Sequence, residues 1–491
     1  MRSCESLGLR TATLVAVVVC AVGCASPTPS GPPPIILISI DTLRADHVGA
    51  YGAAEDLTPN LDAFAREAVV FDQAYSQAVQ TAPSHASVFT GRYPTEQTST
   101  DNQTVLTADH PTLAQVLSVY GYQTAAFVAG GDLAPARKLT AGFSTYDSSE
   151  DFASLYHTTP KGLAWLDTID KNKPYFLFVH GYDCHSIYLK PTPYGYLHAD
   201  ASWQGPAAKA VQTATERIID GRLYANLDGL LSADNALLRA RAPENRARAQ
   251  KILEDGQTPV LVGPEDLTYI RGVYSGAVSY ADAMFGRFMA GIEQRGQLDR
   301  AIIIVMSDHG EQLGEHGIFG HCCGLGDEET HTVLMMRLPH GEHGGRHVSG
   351  LVEMLDVLPT IAELVGARAP AGAHGESLAA ALRGEPFPGR SYTHSEGNAR
   401  MRIISVRGAE GRLTYTGMPA TGRYLPDVIE AARIDGPGFD GPADPVARAS
   451  LRTELVRWLR TLEPGPDVIS APLPASLRKA LRDHGYFDVS P

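Results

Sequence analysis

Acidic and imidazole side chains follow three separate apolar runs of this chain, each at the point where the run ends. The runs, with the residues that follow them, are Ile35–Ile40 with Asp41, 176–179 with His180, Asp183 and His185, and Ile302–Met306 with Asp308 and His309. Carboxylates and imidazoles bind divalent metals, and imidazoles also act as general acids and bases. The three clusters are therefore candidates for one metal-assisted active site.

A hydroxyl group adds a candidate nucleophile. Residues 81–92 are TAPSHASVFTGR, in which Pro83 suits the first turn of a helix and Gly91 suits its C-terminal cap. Thr81 is then placed at the helix N-terminus, where free N–H groups and the helix dipole favour an anion. Taken alone, Thr81 or Ser84 is also explained as a simple N-cap. Beside metal-ligand candidates, the Thr81 hydroxyl is instead expected to be functional.

The three apolar runs lack polar alternation, which predicts strands buried on both faces of a mainly parallel sheet. The carboxyl ends of parallel strands meet at one edge, where open α/β sheets bind ligands. An amphipathic segment at 113–120 precedes a fourth apolar run at 125–129, as expected of alternating helices and strands. We therefore expect an α/β fold with a large, mainly parallel sheet flanked by helices.

The composition excludes one class of partner. The chain has 491 residues, of which 44% are hydrophobic and 20% charged, so it can bury a large core. Its 41 Lys and Arg against 55 Asp and Glu give a net charge of -14, and no basic run interleaved with aromatic residues occurs. Nucleic acid is not an expected partner.

Two regions depart from the α/β alternation. Residues 190–268 are rich in Ala and Arg and are expected to form a helical insertion or cap on a catalytic domain at 34–380. Beyond it, 401–407 and 412–416 predict a hairpin, so 381–491 is a smaller C-terminal α+β subdomain. A helical apolar stripe in that subdomain is interpreted as core packing. The stripe is Leu451, Leu455, Trp458, Leu459 and Leu462.

The order and spacing of several short motifs resemble those of the sulfatase family, within the alkaline phosphatase superfamily. The matching segments are 38–47 (ISIDTLRADH), 58–62 (TPNLD), 81–92, 183–186 (DCHS), 307–311 (SDHGE), 355–360 (LDVLPT) and 375–378 (GESL). Together they cover most of residues 34–380. The resemblance implies a sulfatase-like fold and a metal-dependent hydrolase that acts on an anionic ester.

Two departures from the family pattern change the implied chemistry. Familiar sulfatases begin the third motif with a Cys or Ser that becomes formylglycine and place Arg four positions later, whereas this chain has Thr81 and His85. Because Thr cannot form formylglycine, the likeness to Thr-headed relatives implies that the Thr81 hydroxyl is itself the nucleophile. The chain also has Asp41-Thr42 where those sulfatases carry two adjacent Asp ligands.

The resemblance implies one divalent cation, held by Asp41, Thr81, Asp308 and His309. This set of carboxylates, a hydroxyl and an imidazole favours Zn²⁺, Mn²⁺ or Mg²⁺. Calcium is less favoured, because it takes about six to eight oxygen ligands and one carboxylate of the familiar set is missing.

Four further residues are candidates for contact with the substrate. His185 and His321 are expected to bind it and to protonate the departing oxygen. Asn102 matches a position at which relatives hold the substrate oxyanion, although Asn in a polar loop is also a common turn former. His85 is a further catalytic candidate, since it replaces the Arg of the motif.

Three functions fit these residues. The leading one is hydrolysis of a sulfate, phosphate or phosphonate ester by Thr81. The second is transfer of a phospho-group to an envelope glycan or lipid, but such transferases usually carry several transmembrane helices, and this sequence shows none. The third is a binding protein without catalysis, which the full set of Asp41, Thr81, Asp308 and His309 disfavours.

Supporting roles are expected around the site. Glu311, His316 and His331 lie near Asp308 in sequence and are expected to hydrogen-bond the metal ligands, with His180 beneath the site.

Three cysteines flank the two substrate-contact histidines. Cys184 precedes His185, and Cys322-Cys323 follow His321. If those loops converge, a disulfide from Cys184 to Cys322 or Cys323 is favoured over three buried thiols.

The first 23 residues have the features of an export signal. Arg2 and Arg10 precede the apolar stretch 12–22, which is shorter than the about 20 residues of a bilayer-spanning helix. Residues 21–24 (AVGC) resemble a bacterial lipobox, although Ala21 replaces the usual Leu; the alternative is an ordinary signal peptide with an incidental Cys. We expect lipidated Cys24, a Pro-rich tether at 24–33 and a membrane-anchored lipoprotein of a bacterial cell envelope, facing the periplasm or the exterior.

The substitution Cys24→Ser tests the lipobox. Wild-type protein is expected to partition into the detergent phase, because an acyl-modified Cys adds apolar surface, and the variant is expected to be soluble or unprocessed. Phase partitioning with mass spectrometry of the N-terminus makes the measurement, and Cys4→Ser is the matched control. A wild-type protein that is wholly soluble with an unmodified N-terminus would favour the ordinary signal peptide.

Overall fold

The computed structural model describes residues 31–97, 99, 102, 105–107, 109–186, 188–205, 208, 263–315, 319–321, 324–397, 403–416, 426–431 and 439–463. All elements given below lie in one compact unit that starts at Pro32. The predicted signal peptide, most of the tether and residues 209–262 of the predicted insertion lie outside the described residues.

The strands alternate with helices along most of the chain. The strands are β1 (Ile35–Ile40), β2 (Val69–Tyr75), β3 (Gln123–Phe127), β4 (Thr145–Asp147), β5 (Tyr175–Gly181), β6 (Ile302–Met306), β7 (Gln312–Leu313), β8 (Phe319–Gly320), β9 (His331–Thr332), β10 (Leu334–Arg337), β11 (Arg346–Glu353), β12 (Thr393–Glu396), β13 (Ile404–Gly408), β14 (Gly411–Tyr415) and β15 (Phe439–Asp440). The helices are α1 (Pro59–Ala65), α2 (Thr81–Thr90), α3 (Pro94–Gln97), α4 (Leu113–Val119), α5 (Leu155–Thr168), α6 (Pro264–Gln294), α7 (Asp327–Thr330), α8 (Val357–Leu364), α9 (Ala379–Leu382), α10 (Pro426–Ala431) and α11 (Pro445–Leu459).

A large mixed sheet forms the centre of the molecule. Its strand order is β11-β2-β10-β6-β1-β5-β3-β4, with β9 paired to β2. Strand β1 pairs in parallel with β5 on one side and β6 on the other. Antiparallel pairing is confined to β10 and β9. The predicted mainly parallel sheet is confirmed, and the three strands that precede the chemical clusters are neighbours at its centre.

Both faces of the central strands are buried, which explains why their sequences show no polar alternation. Ile36, Ile38 and Ile40 of β1 pack into one apolar cluster, which includes much of helix α6. Ile35 and Leu37 point the other way into a second cluster. Burial of such side chains contributes roughly 1.5–3 kcal/mol each, and it fixes the register, because a shift by one residue would exchange the two faces.

A four-stranded antiparallel sheet, β12-β13-β14-β15, forms the C-terminal part. The predicted hairpin is confirmed as β13 and β14. The predicted apolar stripe is also core packing, since Leu451, Leu455 and Trp458 are buried against Ile404 and Val406 of this sheet.

The C-terminal sheet is joined to the segment that leads into helix α2. Ala78 forms a parallel bridge with Glu396 of β12, and the Glu396 N–H donates to the carbonyl of Gln77 at 2.9 Å. The C-terminal sheet therefore supports the start of α2.

Among the described residues, no helix combines the length and apolar composition that a bilayer span requires.

A buried histidine links β12 to the rest of this region. His394 Nδ1 lies 3.3 Å from Glu353 Oε1, and His394 Nε2 lies 3.3 Å from Glu454 Oε1 of α11. Burial alone would lower the pKa of His394, but the interactions with Glu353 and Glu454 outweigh it and raise that pKa above its ordinary value. The charged imidazole is therefore the form that the fold favours.

The stability that His394 contributes should depend on pH. A raised pKa in the folded state gives stability that is complete below the unfolded pKa of about 6.5 and is lost as pH rises through the folded pKa. We expect His394→Gln to lower the melting temperature more at about pH 5.5 than at about pH 9. Calorimetry at both pH values makes the measurement, with the exposed His157→Gln as control. An equal loss at both pH values would contradict the charged form.

Candidate active site

The carboxyl ends of β1, β5 and β6 gather the predicted clusters at one edge of the sheet. Asp41 follows β1, and its N–H donates to the Gly181 carbonyl of β5 at 3.0 Å. Asp308 and His309 follow β6, and all of these side chains are fully buried. His180, the sixth residue of β5, places Nε2 3.2 Å from Asp41 Oδ2, beneath the site. The structure thus brings together residues that the sequence places far apart.

Thr81 is the first residue of α2, as its sequence predicted. Its hydroxyl donates to Asp41 Oδ2 at 3.1 Å and is fully buried. Helix α2 runs to Thr90, and Gly91 caps it with a positive φ of 67°, a conformation that glycine adopts without strain. The motif therefore positions a hydroxyl against the candidate metal ligands.

The start of α2 has fewer free amides than a typical helix N-terminus. The Ala82 N–H donates to Asn102 Oδ1 at 2.9 Å, Pro83 has no N–H, and the Ser84 N–H donates to the Gln80 carbonyl at 3.1 Å. The N-cap residue Gln80 makes no side-chain capping bond. An anion beside Thr81 must therefore be bound mainly by side chains rather than by the amides of residues 82–84.

Asp308 is held on one oxygen and open on the other. Its Oδ1 accepts from the N–H groups of Thr42 at 3.2 Å and His309 at 2.9 Å. Thr42 makes this contact with φ of 54°, a left-handed conformation that is unfavourable for a β-branched residue. The other oxygen, Asp308 Oδ2, lies 3.6 Å from His309 Nε2 and 3.7 Å from His85 Nδ1. The N–H groups of Thr42 and His309 thus fix the direction of the Asp308 carboxylate, and the left-handed backbone of Thr42 places the first of them.

Three unpaired atoms fit a cation. Asp41 Oδ1, Asp308 Oδ2 and His309 Nε2 are buried, and within the described part of the chain none has a hydrogen-bond partner. One ligand atom from each of these residues lies within 4.8 Å of the other two. Burial and the charge of Asp308 raise the pKa of Asp41 well above its ordinary value, because two carboxylates this close repel each other. A divalent cation would relieve that repulsion and satisfy all three atoms.

A second grouping of His85, His180 and Asp308 meets the same distance limit but fits a metal less well. His85 Nδ1 lies 2.8 Å from the Thr81 carbonyl, to which it must donate, and His85 Nε2 lies 2.9 Å from the Ser39 hydroxyl. Both ring nitrogens are therefore engaged. Burial lowers the pKa of His85, so the ring is neutral and braces Asp308 and the first turn of α2.

His185 and His321 form a pair at the side of this cluster. Their Nε2 atoms are 3.0 Å apart, and the His321 ring lies 4.5 Å from the His309 ring. Each Nδ1 faces a carbonyl oxygen, that of Ser186 at 2.6 Å and that of Val79 at 3.0 Å, so each Nδ1 donates. A short contact between the two Nε2 atoms is then attractive only when one proton lies between them.

Burial opposes that proton in the free enzyme, since it lowers the pKa of His185 to about 3. A negative charge beside the pair would offset the desolvation and favour the shared proton, as the charge of Asp308 already does in part. An anionic ligand beside the pair would supply that charge.

Other predicted residues have different neighbours from those expected. Glu311 accepts from the Tyr188 hydroxyl at 2.8 Å, and burial raises the pKa of Glu311 to about 8. His331 Nε2 bonds the Asp72 carbonyl at 2.8 Å and its ring stacks on Tyr75. The prediction that Glu311 and His331 hydrogen-bond the metal ligands is therefore wrong, while His316 lies outside the described residues.

The predicted disulfide is also wrong for Cys184, which is a free, buried cysteine. Its side chain packs into the apolar cluster that contains Ile36 and Tyr274. The neighbouring His185 turns toward His321 instead, so consecutive residues of this loop point in different directions. Cys322 and Cys323 lie outside the described residues.

Sequence reasoning missed three residues that shape the site. Ser39 and Thr42, on either side of Asp41, contact His85 and Asp308 as described above. Tyr182 packs its ring 4.8 Å from His180 and 5.4 Å from His185. The positions of Ser39 and Thr42 within two residues of Asp41 were a signal, and so was the position of Tyr182 between His180 and Asp183.

Comparison with known proteins gives one family and a consistent set of relatives. The family model described as Sulfatase matches residues 33–367. An N-acetylglucosamine-6-O-sulfatase of Bacteroides thetaiotaomicron is 27% identical over 401 residues, which cover 72% of this chain and 71% of that protein. The multifunctional alkaline phosphatase superfamily protein PehA of Trinickia caryophylli is 25% identical over 438 residues, covering 74% and 79%.

Solved structures share the fold. The phosphonate monoester hydrolase of Agrobacterium radiobacter matches with a TM-score of 0.63 at 19% identity, over 87% of this chain and 95% of that chain. The sulfatase-like α/β fold expected from the sequence is confirmed.

Removal of one carboxylate tests the candidate metal site. We expect Asp308→Ala to lose most of the divalent metal that wild-type protein binds, because Asp308 supplies one of the three unpaired ligand atoms. Inductively coupled plasma mass spectrometry of purified protein gives the stoichiometry. Asp183→Ala is the matched control, since Asp183 is equally buried but bonds the Leu155 N–H at the start of α5. Unchanged metal content in Asp308→Ala would contradict the site.

Proposed function

This chain belongs to the sulfatase family, and from that premise we propose that it hydrolyses a sulfate, phosphate or phosphonate ester with Thr81 as the nucleophile. The observation that supports this assignment is the hydrogen bond from the Thr81 hydroxyl to Asp41 Oδ2, inside a fully buried cluster with three unpaired ligand atoms. A hydroxyl whose only task was to cap α2 would bond an amide of that helix instead.

The chain's own residues orient the attack. Asp41 Oδ2 accepts the Thr81 hydroxyl proton and also faces His180 Nε2, so its position is fixed from two sides. Its Oδ1 remains for the cation. A divalent ion on Asp41, Asp308 and His309 would supply Lewis-acid polarisation of the ester and favour the ionised hydroxyl. Thr81 then forms a bond to sulfur or phosphorus as the alcohol departs, and water later attacks the Thr81 ester to restore the hydroxyl.

The histidine pair supplies the proton for the departing alcohol. An anionic ester beside His185 and His321 favours the proton between their Nε2 atoms, which the free enzyme disfavours. That proton passes to the leaving oxygen as its bond to sulfur or phosphorus breaks. The substrate therefore promotes protonation of the pair of histidines that protonates its leaving group.

The relatives and the nucleophile favour different anions. The relative named N-acetylglucosamine-6-O-sulfatase supports a sulfated sugar as the substrate class. Thr81 supports a phosphoryl ester, because a Thr ester has to be hydrolysed by a second attack at the central atom, whereas a formylglycine sulfate collapses without one. The neighbour named phosphonate monoester hydrolase is consistent with the second class.

The location of the enzyme rests on its first 33 residues. We propose export and a lipid anchor at Cys24, supported by the residue pattern of the signal segment alone.

A substrate panel with a Thr81 variant tests the proposal. Metal-loaded wild-type protein should hydrolyse at least one of an aryl sulfate, a phosphate monoester, a phosphate diester and a phosphonate monoester. Thr81→Ala should lose that activity by several orders of magnitude while metal binding is kept, because the nucleophile is removed and three ligands remain. Steady-state kinetics and metal analysis make the measurements.

The matched control is Thr90→Ala, at the other end of the same helix, where the hydroxyl bonds the Ala86 carbonyl at 2.7 Å. Thr90→Ala should keep near wild-type turnover. Substantial activity in Thr81→Ala would rule out the nucleophile.

A further inference from the structure

A buried ion pair lies behind Asn102, away from the metal-ligand candidates. Arg137, at the end of the 3-10 turn Pro135–Arg137, is 1% exposed and is the largest fully buried side chain in the described part of the chain. Its Nη2 lies 3.6 Å from Asp132 Oδ1. Within the described residues, no hydrogen-bond acceptor is present for its Nε, Nη1 or Nη2.

Such an arrangement contributes little to stability. The desolvation of two charges offsets their attraction unless hydrogen bonds complete the geometry, and apolar residues of similar volume often serve as well. A pair of this kind is better explained by what it orients. Asp132 Oδ2 accepts from Asn102 Nδ2 at 2.5 Å, so the pair is in direct contact with the residue that meets the start of α2.

Asp132 and the Ala82 N–H together fix which way the Asn102 amide faces. An ionised carboxylate accepts hydrogen bonds and donates none, so Asn102 must turn its NH₂ group toward Asp132. The amide oxygen then points to the Ala82 N–H, at 2.9 Å. Because Gln80 provides no side-chain cap, this contact from a distant loop takes the place of an N-cap for α2.

The same aspartate also touches the histidine side of the site. The Asp132 N–H donates to the Tyr182 hydroxyl at 3.1 Å, and the Tyr182 ring packs on His180 and His185. The segment that carries Asp132 and Arg137 is therefore linked through Asn102 to helix α2 and through Tyr182 to the rings of His180 and His185.

We propose that Arg137 and Asp132 are positioning residues, which act through Asn102 to fix the first turn of α2 and with it the Thr81 hydroxyl. This inference rests on the proposed function for its catalytic consequence, although the orientation of Asn102 can be measured without activity. Arg137 compensates the buried charge of Asp132. Asp132 orients the Asn102 side-chain amide, and the Asn102 oxygen accepts from the backbone N–H of Ala82, the residue after Thr81. A displacement of about 1 Å at a nucleophile can cost on the order of 100-fold in rate. The gain in rate from precise positioning of Thr81 can therefore outweigh the cost of burying the two charges.

The first experiment measures the orientation directly. In Asp132→Asn the carboxylate becomes an amide that can donate as well as accept, so the Ala82 N–H alone still selects the Asn102 oxygen, and the bond between them should weaken. Hydrogen exchange of overlapping peptides across 79–86, followed by mass spectrometry, should show faster exchange at the start of α2. The double variant Asp132→Asn/Arg137→Met leaves no unpaired buried charge and serves if the single variant does not fold.

The second experiment measures the catalytic consequence on whichever panel ester the wild type hydrolyses. Asp132→Asn should lower kcat/KM by about 10- to 100-fold, mainly through kcat, with metal content unchanged. Because the effect passes through Asn102, the double variant Asp132→Asn/Asn102→Ala should be no slower than Asn102→Ala alone.

Asp282→Asn is the matched control. Asp282 is also buried and also holds an asparagine and a helix start, because it accepts from the Asn60 side chain at 2.6 Å and from the N–H of Leu61 in α1 at 2.8 Å. That variant should lose stability and keep its kcat/KM.

Three results would overturn the relay. These are unchanged exchange at the start of α2, faster exchange with unchanged kcat/KM, or additive losses in the double variant with Asn102→Ala. If the wild type hydrolyses no ester of the panel, the proposed function fails, while the exchange result still decides whether Asp132 orients Asn102.

Discussion

Two fully buried carboxylates, Asp41 and Asp308, lie side by side at the carboxyl edge of the central sheet, and most features of the site follow from that placement. Burial, and after it the repulsion from Asp308, raises the pKa of Asp41 well above its ordinary value, so this arrangement is costly. Four neighbouring groups contact these two side chains and offset part of that cost. Thr81 and His180 face one oxygen of Asp41, and Thr42 and His309 donate to one oxygen of Asp308. The remaining oxygens have no hydrogen-bond partner in the described residues, and Asp41, Asp308 and His309 each place a ligand atom within 4.8 Å of the other two.

The sheet makes this placement rigid. Since β1 pairs in parallel with both β5 and β6, the residue after each strand reaches the same level of the sheet, and burial on both faces prevents a slip of register. The packed strands hold Thr42 in its left-handed conformation, which an isolated chain would avoid. Such strained residues are common at functional sites, where the surrounding structure stabilises them. Precise positioning of the carboxylates is thus a property of the three strands rather than of any loop.

The sequence predicted the parts of the molecule that obey simple periodicity. The runs Ile35–Ile40 and Ile302–Met306 are strands with the predicted bounds, and Thr81 begins a helix that Gly91 ends. What it did not predict depends on where a side chain points. Cys184 and His185 are adjacent, yet one enters the apolar core and the other meets His321, so their spacing alone wrongly suggested a disulfide. His331 was placed near Asp308 by sequence distance, but strand β9 directs it to Asp72.

Charge balance explains how an enzyme with a net charge of -14 can take an anionic ester into this site. The family's Arg is replaced by His85, which burial keeps neutral, so that position adds no positive charge. Arg137 is compensated by Asp132 and contributes orientation rather than net charge. Under the proposed mechanism, positive charge would be added by a cation on Asp41, Asp308 and His309 and by a proton between His185 and His321. Both sources are conditional, because one depends on bound metal and the other on the presence of the anion. If the proposed mechanism holds, such a site would attract anions more strongly once the cation and the proton are bound, and discrimination among esters would depend on the geometry around Thr81 and on the leaving group that the histidine pair can reach.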